Sequence, residues 1–440
     1  MFRYHAKGIA VALLALGSIS TVLAQTNATS NPTSGRENDP YSKFGIGALS
    51  DGNNTVLRGM GNISSAYEDP YQVNSDNPAS YSFLQRTTFE AAGTASSLSI
   101  ANDGTIIKTG TASISYLNIG IPLNKNAGMC LGFRPISHSY YNLADTVNGL
   151  NSPIGSYANS YNGEGSLNYA YVGAAAKHKG LSIGFNVGYM FGNIRNSTVT
   201  LPLDTAVTNR AYTAGFSNYD RIGGIYWKAG IMYEHKFDSI YTFRIGGTFT
   251  MKQNISERLN AFNVSSFNLG DTVINDTAFN SGESHGHLVM PTTYSLGVMF
   301  ARNNKWSVGV DYTATQWSQF SSSPDNSLAV NIAPSSYKAS LGGEYTPDIN
   351  DIQNYFSRVT YRLGFYYGSD YLQINNTTLP YYGVTAGASL PFRRSLSHVH
   401  LALDIGRLGT SANSLTQETY VRFTFGFSFN DKWFIPRKYD

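Results

Sequence analysis

From residue 86 onward, apolar and polar side chains alternate with a period of two. In segment 421–429 the odd positions are Val421, Phe423, Phe425, Phe427 and Phe429, and the even ones are Arg422, Thr424, Gly426 and Ser428. In segment 241–251 the odd set is Tyr, Phe, Ile, Gly, Phe, Met, and the even set includes Thr242, Arg244 and Thr248. Segments 181–191 and 359–367 repeat the scheme, and 306–312 carries its apolar set on even positions. Successive strand side chains point to opposite faces, so each segment has one lipid-compatible face and one hydrated face.

About fourteen such segments follow one another, centred near Ala92, Ser115, Phe133, Tyr171, Phe185, Lys228, Ile245, Tyr294, Val310, Ser340, Leu363, Val384, Leu403 and Phe425. Each reaches the ~9–11 residues a tilted strand needs to cross a bilayer. An open sheet edge does not survive in lipid, so the sheet must close. The expected fold is all-β: a transmembrane antiparallel β-barrel of about 14 strands over residues 86–430. A soluble β-sandwich is the alternative, and long two-faced strands of low charge argue against it.

Connections alternate in length. Short ones follow Leu123, His178, Phe237, Ala301 and Phe392, and long polar ones lie at 145–164, 196–220, 257–283 and 318–334. Short periplasmic turns and long external loops are the habit of outer-membrane barrels, and an even strand count puts both ends of the barrel on the periplasmic side.

Composition agrees. Charged residues are 13% of the chain, about half the usual share, while Tyr (31) and Phe (24) are abundant. The net charge of +3 is too small to argue for nucleic acid. Arg3, His5 and Lys7 precede an apolar run from Ile9, and Val22-Leu23-Ala24 offers a small-residue cleavage site. Residues 1–24 therefore read as a secretory signal peptide. Residues 25–40 read as a flexible periplasmic leader and 431–440 as a periplasmic tail. Between leader and barrel, 41–85 is dense in Gly, Asn, Asp and Ser with scattered Tyr, Phe and Ile. It cannot bury much by itself and reads as an N-terminal hatch folded inside the barrel.

The stretch AYEDPYQVNSDNPASYSFL (66–84) resembles the hatch of FadL-type hydrophobic-compound transporters, which carries an Asn-Pro-Ala motif, here Asn77, Pro78 and Ala79. PTTYSLGVMFARNNKWSVGVDYTATQW (291–317) is similar to that family's paired strands, and the strand count matches its fourteen. The start PYSKFGIGALSDG and the end FSFNDKWFIPRKYD resemble a branch related to the PorV-like subunits of secretion and assembly machines. The chain departs from many barrels in running past its last strand instead of ending on an aromatic residue.

The resemblance implies an outer-membrane channel passing hydrophobic small molecules past a hatch. It also admits a second function: a non-transporting scaffold barrel within an outer-membrane secretion or assembly complex. The expected surroundings are outer-membrane lipid and lipopolysaccharide, with a hydrophobic ligand or a protein complex as partner. In FadL-like barrels a kink in the third strand opens the wall sideways. Arg134 and Pro135 fall in the third strand here, where a proline removes a ladder donor. The plainer reading is an ordinary bulge.

Alternation also places Lys228, Glu234, Arg244, Asp311, Lys338, Glu344, Arg362, Asp404 and Arg422 on the lumen face. Two readings stay open: ion pairs bracing wall and hatch, or a polar translocation path. None of the eight His sits in a nucleophile or metal motif; His285-Gly-His287 and His398-Val-His400 are too thin to count. The single Cys130 excludes a disulfide framework. No enzyme activity, cofactor or metal is expected.

Overall fold

A computed structural model describes residues 38–102, 105–149, 155–203, 213–238, 240–269, 272–323, 325–393 and 395–433. The expected signal peptide and most of the expected leader and tail lie outside these described residues.

In chain order the strands are β1 (Ala48–Leu49), β2 (Thr87–Asn102), β3 (Thr105–Asn124), β4 (Ala127–Val147), β5 (Tyr157–His178), β6 (Leu181–Pro202) and β7 (Thr213–Lys236). Next come β8 (Tyr241–Thr250), β9 (Gln253–Leu269), β10 (Thr272–Met290), β11 (Thr293–Arg302), β12 (Trp306–Thr315), β13 (Ser321–Ser322) and β14 (Ser336–Tyr345). The last are β15 (Thr360–Ile374), β16 (Thr377–Pro391), β17 (His398–Leu408) and β18 (Gln417–Asp431).

These strands make fourteen passes. β8 and β9 are one wall strand with a break at 251–252, since β7 pairs along both. β10 and β11 form the next, and the two-residue β1 and β13 lie off the wall. All neighbouring passes are antiparallel, and β18 pairs with β2 from Gln417↔Ala101 to Asp431↔Thr87. The sheet is thereby closed, which satisfies its backbone groups in lipid. Every expected strand centre falls in a wall strand.

Burial alternates as the pattern requires. On β6, Ile183, Phe185, Val187, Tyr189 and Phe191 are exposed on the outer face, while Ser182, Asn186 and Met190 are buried within. On β18, Val421, Phe423 and Phe429 face out and Thr424 and Ser428 face in. At the near rim, which holds the start of β2 and the end of β18, Phe300 stacks on Tyr241 at 5.8 Å and lies 5.7 Å from Trp306. Such aromatic rings favour the headgroup level.

The wall differs from expectation at its far end. Segment 257–283, expected as an external loop, is a continuous hairpin of β9 and β10, paired from Gln253↔Met290 to Thr272↔Leu269. β5, β6 and β7 likewise run on through residues expected to be loop. Above the bilayer both faces of a strand are wet, so apolar alternation stops while backbone pairing continues. A second difference lies at the near end, where β14 and β15 are joined by the long connection 346–359 instead of a tight turn.

The facing predicts a contrast. Phe425→Arg, in the middle of the outer row of β18, should cost about 2–4 kcal/mol of insertion energy. Ser96→Arg, which enters the lumen, should leave the folded yield unchanged; heat-modifiable migration on gels measures both.

Candidate functional site

Residues 38–85 contain short helical turns and the two-residue β1, and their polar side chains do much of the work that a ladder does elsewhere. Asn54 caps α1 (Thr55–Arg58) by accepting from Leu57 N at 3.0 Å and donates to Val73 O at 2.9 Å. Asn74 donates to Ser64 O at 2.7 Å and Tyr67 O at 2.9 Å. In the Asn-Pro-Ala motif, Asn77 accepts from Ala79 N at 3.0 Å and opens the 3-10 turn Pro78–Phe83, with Pro78 at its favoured first position. Asn77 also donates to Ser65 O and, on the wall, to Ile231 O at 3.3 Å. The wall makes room with glycines: a Cβ on Gly184 would collide with Pro78 and Ala79, and one on Gly364 with Met60 and Gly61.

This segment is tied to the wall around the circumference. Asp76 is held by Lys228 at 2.5 Å and Arg134 at 3.6 Å. Glu68 pairs with Arg244, which also holds Glu234 at 3.0 Å. Asp51 pairs with Lys338 at 3.0 Å. Asp311 accepts from Ser64 N at 2.6 Å and Ser65 N at 2.7 Å. Within the wall, Glu344 pairs with Arg362 at 3.0 Å, and Asp404 accepts from Tyr366 Oη at 2.7 Å with Arg422 at 3.9 Å. Each of the nine charges expected on the lumen face is thus in contact with an opposite charge or a hydrogen-bond donor.

Burial alone would push the Asp76 carboxyl up, but Lys228 and then Arg134 hold it below the ordinary range. Asp51 is likewise held down against burial by Lys338 and Arg422. Glu68 goes the other way: burial outweighs the attraction of Arg244. Sequence reading missed Asp51, Arg58, Glu68 and Asp76 within this segment. The signal available was a cluster of charges in a segment whose neighbours on the lumen face carry the opposite sign.

The third pass is irregular at Pro135. β4 shifts register against β5 between Pro135 and Ser137. Its pairing with β3 runs only from Asn124↔Ala127 to Leu117↔Phe133. Above that point the edge of β4 is taken over by the N-terminal segment. Ser50 N donates to Ile136 O at 2.8 Å, β1 pairs through Ala48↔His138 and Leu49↔Ser137, and Asp39 N donates to Tyr140 O at 3.0 Å. Asn38 bridges both strands, donating to Thr109 Oγ1 at 3.0 Å and Asn142 O at 3.0 Å. Residues 38–40, the end of the expected periplasmic leader, therefore lie against the far half of the wall, and the chain descends from there to β2 at the near rim. The reason is local: only this segment reaches the edge that β3 leaves. A cavity of about 760 Å³ borders the separation, lined by Asp51, Arg58, Thr111, Ser113, Pro135, Asp404 and Arg422 among others.

The candidate His pairs are engaged elsewhere. His400 is buried between Ser389 Oγ at 2.6 Å and Ser428 Oγ at 3.0 Å, and His398 meets Leu396 O. His285 lies 3.9 Å from the exposed Glu283. Cys130 is buried beside Tyr81 and Tyr171.

Comparison with known proteins fixes the family. A family model described as BamG matches residues 6–440. The chain belongs to the BamG family. That is a correction to the PorV-like branch that its two ends resemble. No curated protein matches the sequence. Among solved structures, the Pseudomonas putida toluene transporter TodX is similar at 18% identity and TM-score 0.56, over 87% of this chain and 99% of that one. The Ralstonia pickettii toluene transporter TbuX is similar at 15% identity and TM-score 0.53, over 86% and 98%. A Pseudomonas aeruginosa FadL homologue is similar at 14% identity and TM-score 0.53, over 88% and 98%. This chain thus has the fourteen-strand FadL-like fold, and the closed barrel with its apolar outer face is that of a bacterial outer-membrane protein.

Asp76→Asn should leave Lys228 and Arg134 buried without their counter-charge, costing about 3 kcal/mol. The urea midpoint of the detergent-solubilised barrel measures it, and the effect should be larger than for the rim variant Lys236→Gln.

Proposed function

We propose that this barrel is a non-conducting accessory subunit, a scaffold within an outer-membrane secretion or assembly complex. The observation that carries this reading is the state of the lumen. Charged and polar hatch side chains are paired to the wall around its circumference, and the cavity beside them is lined largely by Ser, Thr, Asn and charged side chains. An apolar solute gains nothing from such a lining, because it would displace hydrogen-bonded groups without replacing their partners. The separation between β3 and β4 is bonded across by 38–50 on its β4 side. On the other side, the β3 edge from Gly110 to Ser115 has no strand partner facing β4 among the described residues. A strand of another barrel would add there, as exposed edges invite.

Two measurements test the reading. A strain lacking the protein should assemble other outer-membrane barrels poorly while taking up labelled toluene at the normal rate. Normal assembly with lost uptake would sink the proposal. In planar bilayers the wild type should be silent, and deletion of 41–85 should give open channels.

A second reading has its own support: lateral passage of a hydrophobic compound at the Pro135 bulge, in a fold shared with toluene transporters. Pro135→Val should then lower uptake of an apolar tracer without lowering barrel stability.

A further inference from the structure

The far mouth of the barrel is covered by segment 316–335. Trp317, Phe320 and Leu328 are buried in one apolar cluster with Leu167, Ile222 and Ile255 of the wall. β13, in this segment, pairs with β10 through Ser321↔Val289 and Ser322↔Leu288. Beneath it stand two carboxylates, Asp220 on β7 and Glu257 on β9, which are 0% and 1% exposed. The register of these strands sets Asp220 opposite Leu259 and Ile222 opposite Glu257, all four buried toward the lumen. Asp220 and Glu257 are thus diagonal neighbours on one face of adjacent strands.

Their surroundings are unequal. Both oxygens of Glu257 act as acceptors, from Ser322 Oγ at 2.8 Å and Ser323 N at 3.2 Å. That is the behaviour of an ionised carboxylate. Neither oxygen of Asp220 has a hydrogen-bond partner. Arg221 and Arg258, the cations adjacent in sequence, point outward to Glu283 at 4.0 and 3.2 Å. Asp325, exposed in the covering segment, accepts from Ser327 N at 2.9 Å and from Asn218 Nδ2 at 3.5 Å, two residues before Asp220 on β7. Two residues on, Ser327 Oγ is buried without a partner.

A buried, unpartnered carboxylate beside a second one is costly. Elsewhere in this lumen Asp76, Glu68 and Asp51 are each matched by a cation of the wall. Here the protein supplies only oxygen atoms, the donor set of a hard divalent ion. We propose that Asp220 and Glu257, completed by Asp325 and the hydroxyls of segment 321–327, bind a calcium ion that pins the far-mouth segment to the wall. Among the described residues no three such side chains already surround one point, so Asp325 swings inward on binding and water fills the remaining positions. The site is independent of the scaffold reading.

The test uses full-length protein in detergent free of lipopolysaccharide, stripped with EDTA and titrated by calorimetry with calcium chloride, and in a second arm with magnesium chloride. Calcium should bind once per chain, raise the temperature of the heat-modifiable transition and slow proteolysis within 316–335. Asp220→Asn and Glu257→Gln should weaken binding by roughly 100-fold or more, beyond the usual loss from an outer-shell residue, while still migrating as folded barrels. A wild type that binds neither ion overturns the proposal, as does calcium affinity unchanged in Asp220→Asn. An Asp220→Asn barrel stabilised without any cation response in the wild type would show a shared proton in place of a metal, and overturns it too. Should the variants fail to fold, the wild-type titration alone decides.

Discussion

The pairing of β18 with β2 is the contact on which everything else depends. It leaves no end to the sheet, and in a bilayer a sheet with an end would expose backbone donors and acceptors to hydrocarbon. Closure at fourteen passes sets the width of the lumen. About eight strands already fill their interior with their own side chains, so a barrel of this size has space left over.

That space explains the character of residues 38–85. Apart from the two residues of β1 the segment has no sheet or long helix to satisfy its backbone, so Asn54, Asn74 and Asn77 do so from their side chains. It lies against a wall face that alternation makes polar, so charges and hydrogen bonds attach it alongside apolar contacts such as Val73, Tyr81 and Leu84 against Cys130, Tyr169 and Tyr171. Inward glycines such as Gly184 and Gly364 let its backbone approach the wall more closely than a Cβ would permit. The far mouth uses the other solution. There the wall strands run above the bilayer, their lumen face turns apolar at Leu167, Met190 and Ile255, and Trp317 and Phe320 pack onto it.

The FadL-like fold is shared with transporters of toluene at 15–18% identity, a distance at which fold and activity separate. Strand number and closure are common property. The separation of β3 from β4 bears on both readings of function, since the same unpaired edge suits a lateral exit or a docking strand.

Strand existence, facing and number were legible from alternation because the bilayer imposes it residue by residue: Val421 to Phe429 carry their burial in their order. Alternation put nine charges on the lumen face for the same reason, since a charge on the lipid face is expensive, but Asp220 and Glu257 lay in segments read as loop. Where the bilayer stops, so does the signal, and β9 and β10 therefore read as loop although they pair along their length. Partners were not legible. Asp76 meets Lys228 and Arg134, and Asp220 meets Glu257, across separations of many residues that only barrel closure and register bring together. The sequence by itself determined which face each residue takes, because solvent sorts side chains locally. Only the tertiary structure decided which of them touch, because contact across a lumen depends on the stagger of every strand between.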